Sequence, residues 1–123
     1  MIEINQNSSV PLYDQIKAGL TGLVVRGLLR PGDRAPSVRV LAGELRVNPN
    51  TVARALRELV EEGVLEARRG EGCFVAAQAA RRSADARRQA AENLKTALEL
   101  AARSGLSRRE IEEIARRTAK EEI

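Results

Sequence analysis

The chain has 123 residues and a formal net charge of +4, from 21 lysines and arginines against 17 aspartates and glutamates, with one cysteine and no histidine. This length leaves little room for an elaborate enzyme. One cysteine cannot form an internal disulfide, and the absence of histidine removes both the commonest metal ligand and the commonest general base. We therefore predict no catalytic site, no metal site and no cofactor. No apolar stretch approaches the roughly 20 residues of a membrane helix, and the N-terminal MIEINQNSSV lacks the basic start and apolar block of a signal peptide, so we expect a cytoplasmic protein with no membrane partner.

The first predicted element is an amphipathic helix over residues 11–29, PLYDQIKAGLTGLVVRGLL. Its apolar residues recur at helical spacing: Leu12, Ile16, Leu20, Leu23, Val24 and Leu28. Pro11 is acceptable at a first helical position because no amide hydrogen is needed there. The following Arg30-Pro31-Gly32-Asp33 predicts a turn from its composition.

Two further helices follow, separated by a short connection. Ser37 is a good N-cap for a helix that ends near Leu45, and Asn48 is a good N-cap for one that runs to about Glu62, with Pro49 at its first position. About three residues between two helices are typical of a helix-turn-helix.

The third helix separates its residues sharply at about 100° per residue, with an apolar face opposite a polar one. The polar face near its N-terminus carries Asn50, Thr51, Arg54 and Arg57. These side chains fit the major groove of DNA, where arginine pairs with guanine and asparagine with adenine. For Arg57, a solvated side chain paired with Glu61 is an equally good interpretation.

A β-hairpin is predicted next, because two short apolar runs, residues 64–67 and 73–76, flank Arg68-Arg69-Gly70-Glu71-Gly72. Three helices and this hairpin make residues 1–76 a winged helix-turn-helix domain, mainly α with a small β-hairpin. Arg68, Gly70 and Gly72 are predicted to approach the minor groove or its phosphates, although the glycines could serve only the turn. Ser37 and Arg39, where the second helix would cross the DNA backbone, are predicted phosphate contacts.

A helical hairpin is predicted over residues 77–123. A first helix carries a narrow apolar stripe of Leu94, Leu98 and Ala101 and ends at Gly105; a second begins at Ser107, with Glu110 completing a capping box. Because this apolar face is too small to fold alone, we predict that the segment dimerises with a second copy of the chain.

The motifs PGDRAPSVRVLA, NTVARAL and GEGCFV, preceded by PLYDQI, resemble the DNA-binding domain of the GntR family of bacterial transcriptional regulators over about residues 10–76. The short helical tail and the NPNT start of the third helix resemble the YtrA subfamily. The resemblance implies a dimeric repressor that binds double-stranded DNA at an inverted-repeat operator, often near genes for ABC-type transporters. It also implies DNA contacts by the following residues: Arg39, Asn50, Thr51, Arg54, Gly70 and Gly72.

Two features leave alternatives open. Many family members have arginine where this chain has Pro49 and Ala53, so base recognition by those arginines cannot be transferred here. Residues 1–76 contain 10 basic and 9 acidic side chains, so any DNA-binding surface must concentrate its charge on one face. A winged-helix adaptor that binds proteins without specific DNA binding is therefore the alternative function, and the sequence assigns no small-molecule effector.

Overall fold

The computed structural model describes residues 2–122, and the side chains of residues 2–120. In chain order the elements are α1 (Leu12–Val25), α2 (Val38–Leu45), α3 (Pro49–Glu61), β1 (Leu65–Arg68), β2 (Gly72–Val75), α4 (Ala79–Arg103) and α5 (Arg108–Glu122). The predicted fold class, mainly helical with one β-hairpin and two C-terminal helices, is confirmed. Among these elements, none is both long and apolar enough for a membrane span.

The chain divides into two compact units between Asp85 and Ala86, within α4. We call residues 2–85 the head and residues 86–122 the tail. The first turns of α4 belong to the head, where Ala79 and Ser83 are fully buried.

The first helix is shorter than predicted and ends at Val25. Gly27 adopts φ 75°, in the left-handed region that glycine tolerates best, and the amide of Leu28 donates to the carbonyl of Leu23 at 2.8 Å. The conformation of Gly27 and this hydrogen bond end the helix before Leu28. Leu28, predicted on the apolar face, is instead 67% exposed.

The helix-turn-helix forms as predicted, with both caps confirmed. The Ser37 hydroxyl accepts the amide hydrogen of Val40 at 3.2 Å, and the side-chain oxygen of Asn48 accepts that of Asn50 at 2.8 Å. Each bond satisfies an amide that the first helical turn leaves without a partner.

The core of the head draws apolar side chains from α1, α2, α3 and the hairpin. Its largest fully buried apolar side chains are Ile16, Leu20, Leu41, Val52, Leu59 and Val75. Since the buried residues of α3 all lie on one face, the core fixes which side of that helix meets solvent.

The hairpin is antiparallel, with Leu65 opposite Val75 and Arg68 opposite Gly72. A third segment extends it: the amide of Ala35 donates to the carbonyl of Cys73, and that of Val75 to the carbonyl of Asp33, each at 2.8 Å. The predicted turn over residues 30–33 therefore leads directly into a sheet edge that the sequence did not predict.

In the tail, α4 and α5 form a helical hairpin around an open apolar groove. The predicted capping box is present, since the amide of Glu110 donates to Ser107 Oγ at 3.1 Å and the amide of Ser107 to Glu110 Oε1 at 3.4 Å. The groove is lined by Leu94, Ala97, Leu98, Ala101, Leu106, Ile111, Ile114, Ala115, Thr118 and Ala119. None of the side chains of residues 86–120 is buried.

Candidate nucleic-acid interface

The polar side chains of α3 lie on the face opposite the core. Asn50, Arg54 and Arg57 are exposed, and Thr51 is half-buried at the edge of that face. Within the described residues Arg57 makes no ion pair with Glu61. The polar face of α3 therefore offers an amide, a hydroxyl and two guanidinium groups to a partner approaching from solvent.

Arg54 is held by two neighbouring side chains. Its Nε donates to Glu58 Oε2 at 2.9 Å, and its guanidinium carbon lies 3.7 Å from the centroid of the Tyr13 ring. The first contact joins successive turns of α3, and the second reaches across to α1. The i,i+4 spacing of Arg54 and Glu58 is a signal for the first contact, although the sequence prediction paired only Arg57 with Glu61. The second contact depends on how α1 packs against α3, which helical periodicity does not indicate.

Glu58 also contacts a lysine on α1. Lys17 Nζ donates to Glu58 Oε1 at 3.1 Å and forms a second ion pair with Glu62. The Lys17 side chain is 18% exposed. Two cations thus hold the two oxygens of one carboxylate, which fixes the Glu58 side chain between α1 and α3.

These ion pairs shift the protonation equilibria of both groups. Hydrogen bonds from Arg54 and Lys17 hold the pKa of Glu58 below its ordinary value of 4.5 and outweigh the opposing effect of desolvation. Desolvation lowers the pKa of Lys17, but the hydrogen bonds to Glu62 and Glu58 outweigh it and raise that pKa above its ordinary value of 10.5. Both shifts favour the charged forms.

The network is expected to contribute to the free energy of unfolding in a pH-dependent way. Because the pKa of Glu58 is lowered on folding, its contribution is complete above pH 4.5 and is lost as the pH falls through the folded-state pKa. Because the pKa of Lys17 is raised, its contribution is complete below pH 10.5 and is lost as the pH rises through the folded-state pKa.

Urea titrations of the unmodified chain and Glu58→Gln measure the acid side of this dependence. The difference in unfolding free energy between the two should shrink between about pH 7 and pH 3. Glu61→Gln, which removes an exposed carboxylate from the same helix, should show no such change. If Glu58→Gln lowered the free energy of unfolding equally at both pH values, the result would contradict the lowered pKa of Glu58.

The start of α2 presents the two other predicted contacts of the helix-turn-helix. Ser37 and Arg39 are both exposed. The Ser37 oxygen accepts the capping bond, which leaves its hydroxyl hydrogen for an external acceptor. Within the described residues Arg39 has no ion-pair partner, so its full charge is available to an anion.

The hairpin presents a third set of predicted residues. The guanidinium of Arg68 lies 4.0 Å from the centroid of the Phe74 ring, and its Nε is 3.9 Å from Glu66. Gly70 and Gly72 have φ of 77° and 106°, values that residues other than glycine rarely adopt. Both glycines therefore have a backbone role in the hairpin, whatever else they contact.

Arg34 belongs with this hairpin although sequence analysis did not select it. A Cβ atom at Gly72 would lie 3.5 Å from Nε and Nη2 of Arg34, so the guanidinium lies against the glycine backbone. Its place in the PGDR motif is a usable signal, although the turn was predicted over residues 30–33 and no role was assigned to Arg34. Among the described residues, no hydrogen bond or ion pair joins the three sets on α2, α3 and the hairpin.

Gly72→Ala is expected to destabilise the head by about 1–3 kcal/mol, because a φ of 106° strains any residue with a Cβ, whereas the added carbon would make only ordinary van der Waals contact with Arg34. The matched control is Gly43→Ala in α2, where nothing lies within 4 Å of the added Cβ. That control should raise helix stability by up to about 1 kcal/mol. Thermal unfolding followed by circular dichroism measures both, and equal effects would contradict the strain argument.

Comparison with known proteins places this geometry in a group of regulators. The model of the family described as "Bacterial regulatory proteins, gntR family" matches residues 12–75. The HTH-type transcriptional repressor YtrA of Bacillus subtilis (strain 168) is 44% identical over 79 residues, 64% of this chain and 61% of that protein. The match thus spans about three-fifths of the length of this curated relative.

Solved structures extend the similarity beyond the head. YtrA from Sulfolobus acidocaldarius, a GntR-family transcription factor, aligns with a TM-score of 0.60 and 31% identity over 98% of this chain and 97% of that one. AraR(DBD) in complex with operator ORX1 aligns over 62% of this chain and 95% of that one, with a TM-score of 0.56 and 26% identity.

Proposed function

We propose that this chain, which belongs to the GntR family of bacterial regulatory proteins, is a sequence-specific DNA-binding transcriptional regulator and, more narrowly, a cytoplasmic repressor. The observation that carries the proposal is the exposed N-terminal face of α3, with Asn50 and two arginines opposite the buried face. The similar proteins reported above are transcription regulators and not enzymes, in agreement with the prediction that the chain is not an enzyme.

In the proposed complex, α3 enters the major groove with its N-terminus first. The amide of Asn50 reads adenine, the guanidinium of Arg54 reads guanine, and Thr51 and Arg57 contact bases or the adjacent phosphates. The positive end of the α3 helix dipole favours the same anionic surface.

The remaining predicted residues position the domain on the duplex. Ser37 and Arg39 donate to phosphate oxygens at the start of α2, where a hydroxyl and a guanidinium are both suitable donors. At the hairpin, Arg68 supplies positive charge, and Gly70 and Gly72 let the main chain approach the minor groove or its phosphates.

The domain proposal assigns residues 1–76 to DNA binding and residues 77–123 to dimerisation. It is supported by the apolar groove of the tail, where Leu94 and Ile114 are 59% and 54% exposed. A second copy about a two-fold axis would cover both grooves. The two α3 helices would then read half-sites of an inverted repeat about 34–36 Å apart. Repression follows from occupying promoter DNA, and genes for ABC-type transporters are the proposed targets.

Selection of bound sequences from a random duplex pool tests the proposal. An inverted repeat should be enriched, and six to ten phosphate contacts should make affinity fall by about 10³–10⁵ between 50 and 200 mM salt. Arg39→Gln should lower the salt slope by about one per protomer. Arg109→Gln, an equal charge change in the tail, should leave that slope unchanged. If the selection is made at both 50 and 200 mM salt and neither enriches a sequence, the result would instead favour the protein-binding adaptor.

A further inference from the structure

Arg54 is confined on two sides while its outer end stays accessible. The Tyr13 ring covers one face of the guanidinium, and the Glu58 carboxylate occupies the hydrogen on Nε. The side chain is nevertheless 51% exposed. An arginine has five N–H donors, so the four on its two terminal nitrogens remain for an external partner.

The support behind Arg54 is itself fixed. Glu58 is 26% exposed and binds Arg54 through one oxygen and Lys17 through the other. Lys17 is held in turn by Glu62. The chain of contacts anchors the guanidinium to both α1 and α3, so the position of Arg54 follows the packing of these two helices.

Binding a guanine edge requires two parallel donors in one plane, and a flexible arginine loses rotamer freedom when it adopts that geometry. A side chain that is already confined loses less, which raises affinity for the correct base. The carboxylate also opposes phosphate by its charge, which weakens binding to DNA of any sequence. Confinement therefore raises the preference for the correct base, whereas the charge lowers affinity for every duplex alike and leaves that preference unchanged.

We infer that Tyr13 and Glu58 are positioning residues that hold the Arg54 guanidinium ready to read one guanine, and that they thereby set the sequence specificity of this protein. The inference rests on the proposed DNA-binding function. It assigns a role in specificity to α1, which contributes Tyr13 and Lys17 although neither belongs to the helix-turn-helix.

The test uses the full chain and the duplex that it enriches from a random pool. It also uses a set of variant duplexes, each of which carries a single replaced base pair at a different position. The readout is discrimination, the ratio of Kd for a replaced duplex to Kd for the selected one. Arg54→Ala should abolish discrimination at one base pair, a loss of about 5- to 150-fold for a bidentate contact. At that same base pair, Glu58→Gln and Tyr13→Leu should each lose about 2- to 12-fold, the effect of mobilising one long side chain.

Two conservative variants separate positioning from a general structural role. Tyr13→Phe keeps the ring under Arg54 and should retain the discrimination that Tyr13→Leu loses. Glu61→Gln removes the same charge from α3 as Glu58→Gln and should raise affinity for all duplexes without changing the ratio. A variant that merely unfolds part of the protein lowers binding to every duplex equally, and so leaves the ratio intact.

Several outcomes would overturn the inference. If Arg54→Ala weakens binding to all duplexes equally, Arg54 contacts phosphate. If Glu58→Gln leaves discrimination unchanged or increases it, the carboxylate is neutral or holds Arg54 away from DNA. If the unmodified chain enriches no sequence, the proposed function itself fails, a result that is distinguishable because it appears before any variant is compared.

Discussion

The substitution Leu98→Glu is expected to convert the proposed dimer into a monomer of 13.4 kDa. Leu98 lines the apolar groove and is 38% exposed, so the proposed second copy would cover it. A carboxylate at this position would lose its hydration in the dimer without gaining a partner, which opposes association strongly. Operator affinity should then fall by about 10²–10⁴, because the two half-sites are no longer bound by linked heads.

Leu100→Glu is the matched control, since it makes the same change two residues further along α4. Leu100 is 59% exposed and does not line the groove. Sedimentation equilibrium should find Leu100→Glu dimeric and Leu98→Glu monomeric, while a half-site duplex should bind both variants with similar affinity. A dimer that survives Leu98→Glu would place the interface elsewhere on the chain.

Local sequence signals predicted the elements that carry the candidate interface. Ser37, Asn48 and Ser107 each cap a helix where the pattern placed them, because a cap depends on a few neighbouring residues only. The predicted polar face of α3 is confirmed as the exposed face for the same reason: the apolar residues repeat at the helical period, and burial of one face leaves the other in solvent.

Contacts between distant segments could not be predicted in this way. Lys17 and Glu58 are 41 residues apart, and the stacking of Arg54 on Tyr13 depends on how α1 crosses α3. Periodicity assigns each residue to a face, but it does not say which side chains of two packed helices meet. The edge segment at Arg34 was missed likewise, because its hydrogen bonds go to residues of the hairpin.

The end of α1 was predicted wrongly for a different reason. Leu28 continues the helical spacing of the preceding apolar residues, so periodicity alone extended the helix through it. Gly27 ends the regular conformation first, and Leu28 becomes one of the more exposed large apolar side chains of the head. Leu59, on the inner face of α3, is 1% exposed.

Leu59→Ala is therefore expected to lower the free energy of unfolding of the head by about 2–5 kcal/mol, through lost burial and the cavity left behind. The same change at Leu28 should cost less than about 0.5 kcal/mol, because little burial is lost at an exposed position. Urea titrations at neutral pH measure both, with the tail present. If Leu28→Ala and Leu59→Ala lowered the free energy of unfolding by similar amounts, Leu28 would be covered in solution. In that case the loop after α1 would pack against another surface, and its exposed apolar side chain would belong to an interface.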